Sequence, residues 1–432
     1  MIQIAILGLG TVGTGVARVV AENARQIERK LGEPLQVKTI LVRRFKDGPY
    51  RQLMTDDFSR IEQDEDIRVV VETIGGVEAA YEYTKRALEA GKHVVTANKQ
   101  LVAEHGCELL ALARKKNVNY LFEASVGGGI PILHPLRECL AANRIEEVYG
   151  ILNGTTNYIL TRMVRTGAFF SDALREAQAK GYAEADPTAD IEGIDAGRKT
   201  CILADLAFGH QVDPKDVPME GISKLSLRDV KIAQRAGYRV KLLGRAVRLP
   251  GGGRTAYVAP HLIPEDRPLA NVEDVFNAIS VNGDIVGETL FYGRGAGKNP
   301  TASAVISDVI TAMRESRYPE FHTGFTPYAK SCGVMHINDT TTPYYVRFQV
   351  ADQPGVIAEI ARILATFGIG ISATSSAPSH IDEDGVAWND LVFILHTCPW
   401  GQLQMALEEI AQISFVAPEA RVLRIEHLLP QS

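Results

Sequence analysis

The amino-acid sequence predicts an α/β protein of three parts: a parallel sheet wrapped by helices, an α+β domain and a small C-terminal module. Three observations support this prediction. Residues 1–125 alternate strand and helix patterns, as parallel sheets do. From about residue 130, longer helical stretches are followed by adjacent strand-like segments, which is typical of a mixed or antiparallel sheet. Residues 343–432 then follow the order βαββαβ, the ferredoxin-like split unit.

Composition excludes several classes of protein. The 432-residue chain is 46% hydrophobic and 23% charged, as in ordinary water-soluble domains. Its net charge of −6 gives no basic surface for nucleic acid, and no apolar stretch is long enough for a membrane span. The opening MIQIAILGLG has no basic residues before its short apolar run, so we interpret it as a strand and not a signal peptide. We therefore expect a cytoplasmic protein without nucleic-acid or membrane partners. The cysteines at 107, 139, 201, 332 and 398 show no metal spacing and fit a reducing compartment.

The first domain, residues 1–130, has the pattern of a dinucleotide-binding fold. A further helix at about 298–315, with Pro300 near its first turn, is assigned to it as well. The predicted strands are Ile2–Leu7, Val37–Arg43, Arg68–Glu72, His93–Thr96 and Asn119–Phe122, and the predicted helices are 13–30, Ala79–Ala90 and Glu104–Lys115.

A GxGxxG motif, GLGTVG at residues 8–13, stands between the first strand and the first helix. Its glycines allow a tight turn, close approach of a pyrophosphate and close packing of helix on strand. The helix start then offers unpaired amides to phosphate groups. This context predicts a Rossmann-type domain that binds NAD(P); the alternative is a glycine-rich turn without a ligand. The candidate cofactor-binding residues are Gly8, Gly10, Thr11, Val12, Gly13, Arg43, Arg44, Thr96, Lys99 and Gly297.

The end of the second strand bears on the choice between NAD and NADP. It ends in Arg43-Arg44, and no carboxylate follows until Asp47. A guanidinium can pair a 2′-phosphate through two hydrogen bonds, which favours NADP over NAD. The alternative is a solvated basic pair, and NAD remains possible.

Residues 131–297 are predicted to form the second domain. Residues 316–342 show little periodicity and are predicted to be a linker. The predicted helices of this domain are Thr156–Thr166, Ser171–Lys180 and Ile191–Phe208, and the predicted strands are Tyr238–Arg248 and Arg254–His261, split by a turn at 250–253.

The segment 177–199 holds the strongest catalytic candidates. Asp195 and Lys199 are spaced i,i+4 and share one helix face. An exposed ion pair is one interpretation, but the apolar run 201–207 indicates a buried helix. A buried lysine beside a carboxylate can move a proton to or from a carbonyl oxygen. Lys99 follows another strand, where nicotinamide and substrate would meet, although position alone does not distinguish it from a surface lysine.

These segments resemble the homoserine dehydrogenase family over about residues 1–315. The matching motifs are GLGTVG at 8–13, TANK at 96–99, EASVGGGIP at 123–131, NGTTNYIL at 153–160, and the signature from Ala177 to Lys199 with Gly181-Tyr182, Asp186-Pro187, Asp190, Gly193, Asp195 and Lys199. The resemblance implies NAD(P)-dependent interconversion of L-homoserine and L-aspartate 4-semialdehyde, in threonine, methionine and isoleucine biosynthesis.

The resemblance also implies a role for each matching residue. Lys199 would donate and accept the proton at the reacting oxygen, Asp195 would hold the substrate and orient that lysine, and Lys99 would sit by substrate and nicotinamide. The implied substrate-binding residues are Glu184, Asp190, Asp195 and Gly181. In this family the second domain also carries dimerisation, so we expect a homodimer or homotetramer.

The glycine-rich loop at 123–131 is a candidate cation site. Such a loop can turn several carbonyls towards one point, which suits a hard cation. The resemblance implies a monovalent cation, Na⁺, on the backbone of Glu123, Val126, Gly128 and Ile130. The alternative is a tight hinge that needs small residues.

The C-terminal module, residues 343–432, begins with a strand followed by Asp352-Gln-Pro-Gly355 and a helix. We expect Ile357, Ile360 and Ile363 in the inward stripe of that helix. The segment resembles an ACT domain, which binds amino acids, and the implied role is feedback inhibition with threonine as the effector. The alternative is a dimerisation module without a ligand.

Two alternative functions are weighed against the residues of the sequence. A semialdehyde dehydrogenase would need a cysteine nucleophile in a Ser/Gly-rich motif at a helix start, and none of the cysteines lies in one. A sensor without catalysis would not need Lys99, Glu184, Asp195 and Lys199 together, so their joint presence favours the enzyme.

Overall fold

A computed structural model describes residues 1–249, 252–317, 325–329, 337–381 and 387–426. Its chain divides into two compact units. Unit 1 comprises Met1–Gly154, Asp195–Val217 and Val275–Gly333, and unit 2 comprises Thr155–Ile194, Pro218–Asp274 and Val334–Ser432. Much of the predicted linker, the start of the turn at 250–253 and Cys332 lie outside the described residues.

The strands are numbered along the chain as β1 (Ile2–Leu7), β2 (Leu35–Leu41), β3 (Met54–Thr55), β4 (Ile67–Glu72), β5 (His93–Thr96), β6 (Tyr120–Leu121), β7 (Ile145–Ile151), β8 (Tyr238–Arg248), β9 (Arg254–Pro264), β10 (Phe276–Gly283), β11 (Gly287–Arg294), β12 (Thr341–Ala351), β13 (Ile371–Ile381), β14 (Ala387–Pro399) and β15 (Arg421–Ile425). The helices are α1 (Thr11–Glu22), α2 (Ala24–Leu31), α3 (Ser59–Glu62), α4 (Glu78–Glu89), α5 (Lys99–Lys116), α6 (Leu133–Arg137), α7 (Gly154–Thr166), α8 (Phe170–Ala179), α9 (Thr188–Ile191), α10 (Ile194–Phe208), α11 (Leu227–Arg235), α12 (Lys298–Glu315), α13 (Val356–Thr366) and α14 (Trp400–Ile410).

Unit 1 contains the predicted parallel sheet, in the order β3-β2-β1-β4-β5-β6. The central strands are largely apolar because both faces of a parallel sheet are covered by helices. Ile4, Val69 and Val94 are fully buried as a result. Helix α12 packs against α1, where Gly15 comes so close that an added Cβ would lie 2.9 Å from the Lys298 carbonyl.

A second set of strands in unit 1, β11-β10-β7, is antiparallel. The sequence analysis did not predict β7, because its two consecutive glutamates hide the apolar pattern. Glu147 is nevertheless buried within the strand, at 1% exposure.

Unit 2 contains a β8–β9 hairpin and the C-terminal module. The module follows the order βαββαβ, and its strands are arranged β15-β12-β14-β13. One face of this sheet packs on α13 and α14 around Phe348, Phe393 and Leu403. Strand β15 also pairs in parallel with β9, so the module's sheet continues into the hairpin.

The structure corrects several predicted boundaries. The helix predicted over 13–30 is interrupted at Asn23. Helix α5 begins at Lys99 and not at Glu104, because the Asn98 side chain accepts from the Leu101 amide and caps the helix there.

The helix predicted to start near Ile191 starts at Ile194, since Gly193 adopts φ +81° and separates α9 from α10.

In the C-terminal module, Ile357 is 52% exposed and does not face the core of α13. Val356 is buried there with Ile360, Ile363 and Leu364, because the stripe is spaced i, i+4, i+7 and i+8 from the first helical residue. No helix in the described part of the chain is long and apolar enough to cross a membrane.

Candidate active site

The glycine loop after β1 has the geometry that a dinucleotide pyrophosphate requires. Gly8 adopts φ +95°, and a Cβ on Gly13 would lie 2.0 Å from the Gly8 carbonyl oxygen. A Cβ on Gly10 would meet nothing within 4 Å, so the space beside it is open. Gly10 precedes α1 without a side-chain cap, and the first-turn amides at Thr11, Val12 and Gly13 have no partner within the helix. This cradle fits a nicotinamide dinucleotide.

The other predicted cofactor residues in unit 1 lie at strand or helix ends. Arg43 and Arg44 are exposed just beyond β2. Thr96 is buried at the end of β5, and Gly297 adopts φ +121° immediately before α12. These are the positions at which open parallel sheets bind ligands or expose helix amides.

Lys99, Asp195 and Lys199 are brought together in unit 1. Lys99 Nζ lies 2.6 Å from Asp195 Oδ1, and Lys199 Nζ donates to Asp195 Oδ2 at 2.7 Å. The i,i+4 spacing on α10 places Asp195 and Lys199 on one face, and the start of α5 supplies Lys99. One carboxylate therefore bridges two ammonium groups.

The side chains of Asp195 and Lys199 in this cluster are buried. Asp195 and Lys199 are 7% and 8% exposed, so the interpretation as an exposed ion pair is wrong. Burial would raise the pKa of Asp195, but the charges of Lys199 and Lys99 outweigh it and hold the pKa well below its usual range. Asp195 is thus ionised at neutral pH.

Two further groups contact this cluster, and the sequence analysis did not assign them. Lys199 Nζ donates to the Leu152 carbonyl at 2.7 Å, and Asn153 Nδ2 donates to Asp195 Oδ2 at 3.0 Å. Asn153 opens the motif NGTTNYIL, so its motif position could have identified it. The Leu152 carbonyl is a backbone group and has no signal in the sequence.

Glu184, Asp190 and Gly181 lie in unit 2, on the segment that leads into α10. Glu184 is exposed, and its carbonyl accepts from Gln178 Nε2 at 3.2 Å. Asp190 belongs to the short helix α9, and Gly181 has φ +72° after α8.

The loop at 123–131 uses the Glu123 side chain for its own structure. The Glu123 carboxylate accepts backbone N–H bonds from Ile132, Leu133 and His134 at 2.6–3.0 Å, and so caps the start of α6. The described residues place no hydrogen-bond donor on the carbonyl oxygens of Val126, Gly128 or Ile130. Oxygen ligands of this kind fit a hard cation. Among the described residues, no group of three or more His, Cys, Asp or Glu side chains could hold a metal ion.

Comparison with known proteins identifies the family. The family model described as "Homoserine dehydrogenase, NAD binding domain" matches residues 8–123, and the one described as "Homoserine dehydrogenase" matches residues 131–310. A homoserine dehydrogenase from Neisseria gonorrhoeae is 43% identical, over 99% of both chains. The chain belongs to the homoserine dehydrogenase family.

Solved structures agree with this assignment. A homoserine dehydrogenase from Thiobacillus denitrificans is 42% identical with a TM-score of 0.91, over 98% of both chains. A hyperthermophilic archaeal homoserine dehydrogenase in complex with NADPH is 30% identical with a TM-score of 0.62 and covers 73% of this chain and 98% of its own. Membership of the family makes this chain an NAD(P)-dependent oxidoreductase with homoserine dehydrogenase activity in amino-acid biosynthesis.

Proposed function

We propose that Lys99, Asp195 and Lys199 perform the acid–base part of the interconversion of L-homoserine and L-aspartate 4-semialdehyde. A bound nicotinamide dinucleotide supplies or accepts the hydride at the reacting carbon. Lys199 donates a proton to the aldehyde oxygen during reduction and accepts it from the hydroxyl during oxidation. The single observation that supports this proposal is the contact of one buried, ionised Asp195 with both lysines.

The carboxylate and the Leu152 carbonyl orient the Lys199 ammonium from two directions, each at 2.7 Å. Holding a proton donor in one place lowers the entropy that the reaction must lose. Lys99 and Asn153 in turn hold Asp195, so the carboxylate cannot swing away when the substrate arrives. Glu184, Asp190 and Gly181 would bind the substrate, whose ammonium group needs carboxylate partners.

Within the family activity, we propose a preference for NADP. Arg43 and Arg44 are exposed at the end of β2, where a 2′-phosphate would be paired by a guanidinium. The glycine loop and the amides of α1 would hold the pyrophosphate, with Thr96, Lys99 and Gly297 nearer the nicotinamide. The relative crystallised with NADPH supports a nicotinamide dinucleotide but does not decide between NADP and NAD.

The backbone of Glu123, Val126, Gly128 and Ile130 would hold Na⁺ as a structural cation. The carbonyl oxygens of Val126, Gly128 and Ile130, which accept no hydrogen bond from the described residues, support this proposal. The capping role of the Glu123 carboxylate leaves its backbone for the ion.

The C-terminal module would be an ACT domain that mediates feedback inhibition by threonine. Its βαββαβ order and Gly355, with φ +94° before an uncapped helix, support an amino-acid site. Threonine is the expected effector because it lies downstream of homoserine in the pathway. We also propose a cytoplasmic homodimer or homotetramer, with residues 1–130 and about 298–315, 131–297 and 343–432 as its domains.

The activity and its regulation are tested with the purified full-length protein. NADPH oxidation should depend on aspartate semialdehyde, and Asp195→Asn should lower kcat/KM by about 10²-fold or more without loss of NADPH binding. Threonine at millimolar concentrations should inhibit the wild type. An Asp195→Asn variant as active as wild type would refute the proposed cluster chemistry, and no response to threonine would favour a module used only for dimerisation.

A further inference from the structure

Glu72 is a fully buried carboxyl group at the cofactor edge of the parallel sheet. It is the last residue of β4 and is 0% exposed. Its neighbours in register are Leu7, which ends β1, and Thr96, which ends β5. Ligands of an open α/β sheet bind beyond these strand ends. Glu72 therefore lies at the base of the loops that form the ligand side of the sheet.

Both oxygens of Glu72 accept hydrogen bonds from those loops. Oε1 accepts from the Ile74 N–H, and Oε2 accepts from the Thr96 hydroxyl. The Thr96 oxygen itself accepts from the Asn98 N–H at 2.9 Å, and the Asn98 amide donates to the Ile74 carbonyl at 3.2 Å. These four bonds form a closed circuit through Glu72, Ile74, Asn98 and Thr96.

The circuit connects the two ends of the active site in unit 1. On one side, Asn98 caps α5, whose first residue is Lys99. On the other side, Thr73 follows Glu72, and its hydroxyl lies within hydrogen-bonding distance of the carbonyl oxygens of Leu7, at 2.9 Å, and Gly8, at 3.1 Å. The circuit therefore ties the start of α5 to the glycine loop.

The donors that surround Glu72 favour its ionised form. Ile74 offers only an N–H, so a proton on Oε1 would face another donor. A proton on Oε2 would have to be donated to Thr96, whose hydroxyl hydrogen would then lose its acceptor. The Ile74 N–H and the Thr96 hydroxyl can both donate to the carboxyl group without rearrangement when it is ionised.

We propose that Glu72 is a positioning residue, whose buried carboxylate fixes the loop before α5 and thereby the contact of Lys99 with Asp195. This inference rests on the proposed role of Lys99 and Asp195. Glu72 itself touches neither of them, and it acts through Thr96 and Asn98.

Three variants test the circuit. Glu72→Gln replaces one accepting oxygen by a donating NH2 group, so its two side-chain atoms cannot accept from Ile74 and Thr96 respectively. Thr96→Val removes the hydroxyl while keeping the shape, and Thr96→Ser restores the hydroxyl. We expect Glu72→Gln and Thr96→Val each to lower kcat by about 10²-fold, the effect of a displacement of roughly 1 Å. Thr96→Ser keeps the hydroxyl and should therefore retain a higher kcat than Thr96→Val.

A double variant and a control separate positioning from general damage. Glu72→Gln combined with Thr96→Val should lower kcat no further than the worse single variant, because both break the same circuit. Lys92→Met is the control: this buried lysine bonds the carbonyls of Asp64 and Ile67 where β4 begins, at the opposite edge of the same sheet. It should lower the melting temperature while leaving kcat near wild type.

The pH profile gives a second readout. Burial raises the pKa of Glu72 to about 7, against the bonds from Thr96 and Ile74, which lower it. The titratable groups near the circuit are Lys99, on the adjoining helix, and Tyr120 of β6, whose pKa is raised by burial and by the Glu72 charge. The kcat of the wild type should therefore fall as the pH drops below about 7, and Glu72→Gln should lose that part of the profile.

The outcomes are distinguishable. If Lys99→Met loses activity while Glu72→Gln and Thr96→Val stay within about threefold of wild type, positioning by Glu72 is refuted and the role of Lys99 stands. If Lys99→Met keeps full activity, the proposed role of Lys99 fails and the inference fails with it. An unchanged pH profile in Glu72→Gln also refutes the inference.

Discussion

Replacing Lys199 by methionine removes the proposed proton donor while keeping a side chain of similar length. The change deletes the hydrogen bonds of 2.7 Å to Asp195 and to the Leu152 carbonyl. Removing one partner of a buried ion pair costs about 3–5 kcal/mol when the other charge is left alone. Here Asp195 keeps Lys99 at 2.6 Å and Asn153 at 3.0 Å, so we expect a smaller loss of about 1–3 kcal/mol.

The loss of catalytic rate should exceed any loss that partial unfolding of the variant would cause. A positioned acid–base group contributes about 10²–10⁴-fold to a rate, so kcat/KM of Lys199→Met should fall by that factor. The assay follows the absorbance of NADPH with aspartate semialdehyde as substrate, and a fluorescence titration measures NADPH binding, which should be unchanged.

The matched control is Lys241→Met, which removes another buried lysine. Lys241 bonds the Asn157 side chain and the Val272 carbonyl in unit 2. It should destabilise the protein but leave kcat per folded molecule near wild type. The reasoning is refuted if Lys199→Met retains activity within about tenfold of wild type, or if both variants lose activity in proportion to unfolding.

Three further predictions concern the cofactor domain. Arg43→Ala should raise KM for NADPH by about tenfold and leave KM for NADH unchanged; equal effects on both would remove the 2′-phosphate role. Gly13→Ala should destabilise by about 1–3 kcal/mol because its Cβ would meet the Gly8 carbonyl at 2.0 Å, whereas Gly10→Ala should keep wild-type stability in a thermal melt and lose only cofactor affinity. In the folded protein the pKa of Glu72 is raised from 4.5 to about 7, so the free energy of unfolding should fall by about 3 kcal/mol as the pH rises from 4.5 to 7. Urea melts of Glu72→Gln should lack this decline. An equal decline in the variant would contradict the assignment to Glu72.

The parallel sheet was predictable because its signals are local. Ile2–Leu7 is an apolar run that ends at a glycine turn, and the structure confirms it to the residue. His93–Thr96 was predicted with the same bounds for the same reason. The start of α10 was misplaced because the prediction placed Gly193 inside a helix. In the structure Gly193 has a left-handed backbone, which separates α9 from α10.

The active site was predictable only where residues share an element or a motif. Asp195 and Lys199 lie four residues apart on one helix, so their spacing predicted that they share a helix face, and they are in contact. The bond of Glu72 to Thr96 joins residues 24 apart in the chain, and only the register of two strands brings them together. The Glu72 circuit also depends on backbone amides and carbonyls, which every residue possesses and no sequence pattern marks.

The parallel pairing of β15 with β9 has a consequence for shortened forms of the protein. Arg424 and Ile425 pair with His261 and Leu262, so the last described strand of the chain covers an edge of the β8–β9 hairpin. A chain cut before β12 would leave the end of β9 with unpaired N–H and C=O groups at His261 and Leu262, and Leu262 is now fully buried. We expect such a truncation to expose strand edges that favour aggregation, which would complicate any measurement of its response to an effector. The C-terminal module thus covers a strand edge of the hairpin, and a point substitution that spares β15 is the sounder way to study its regulation.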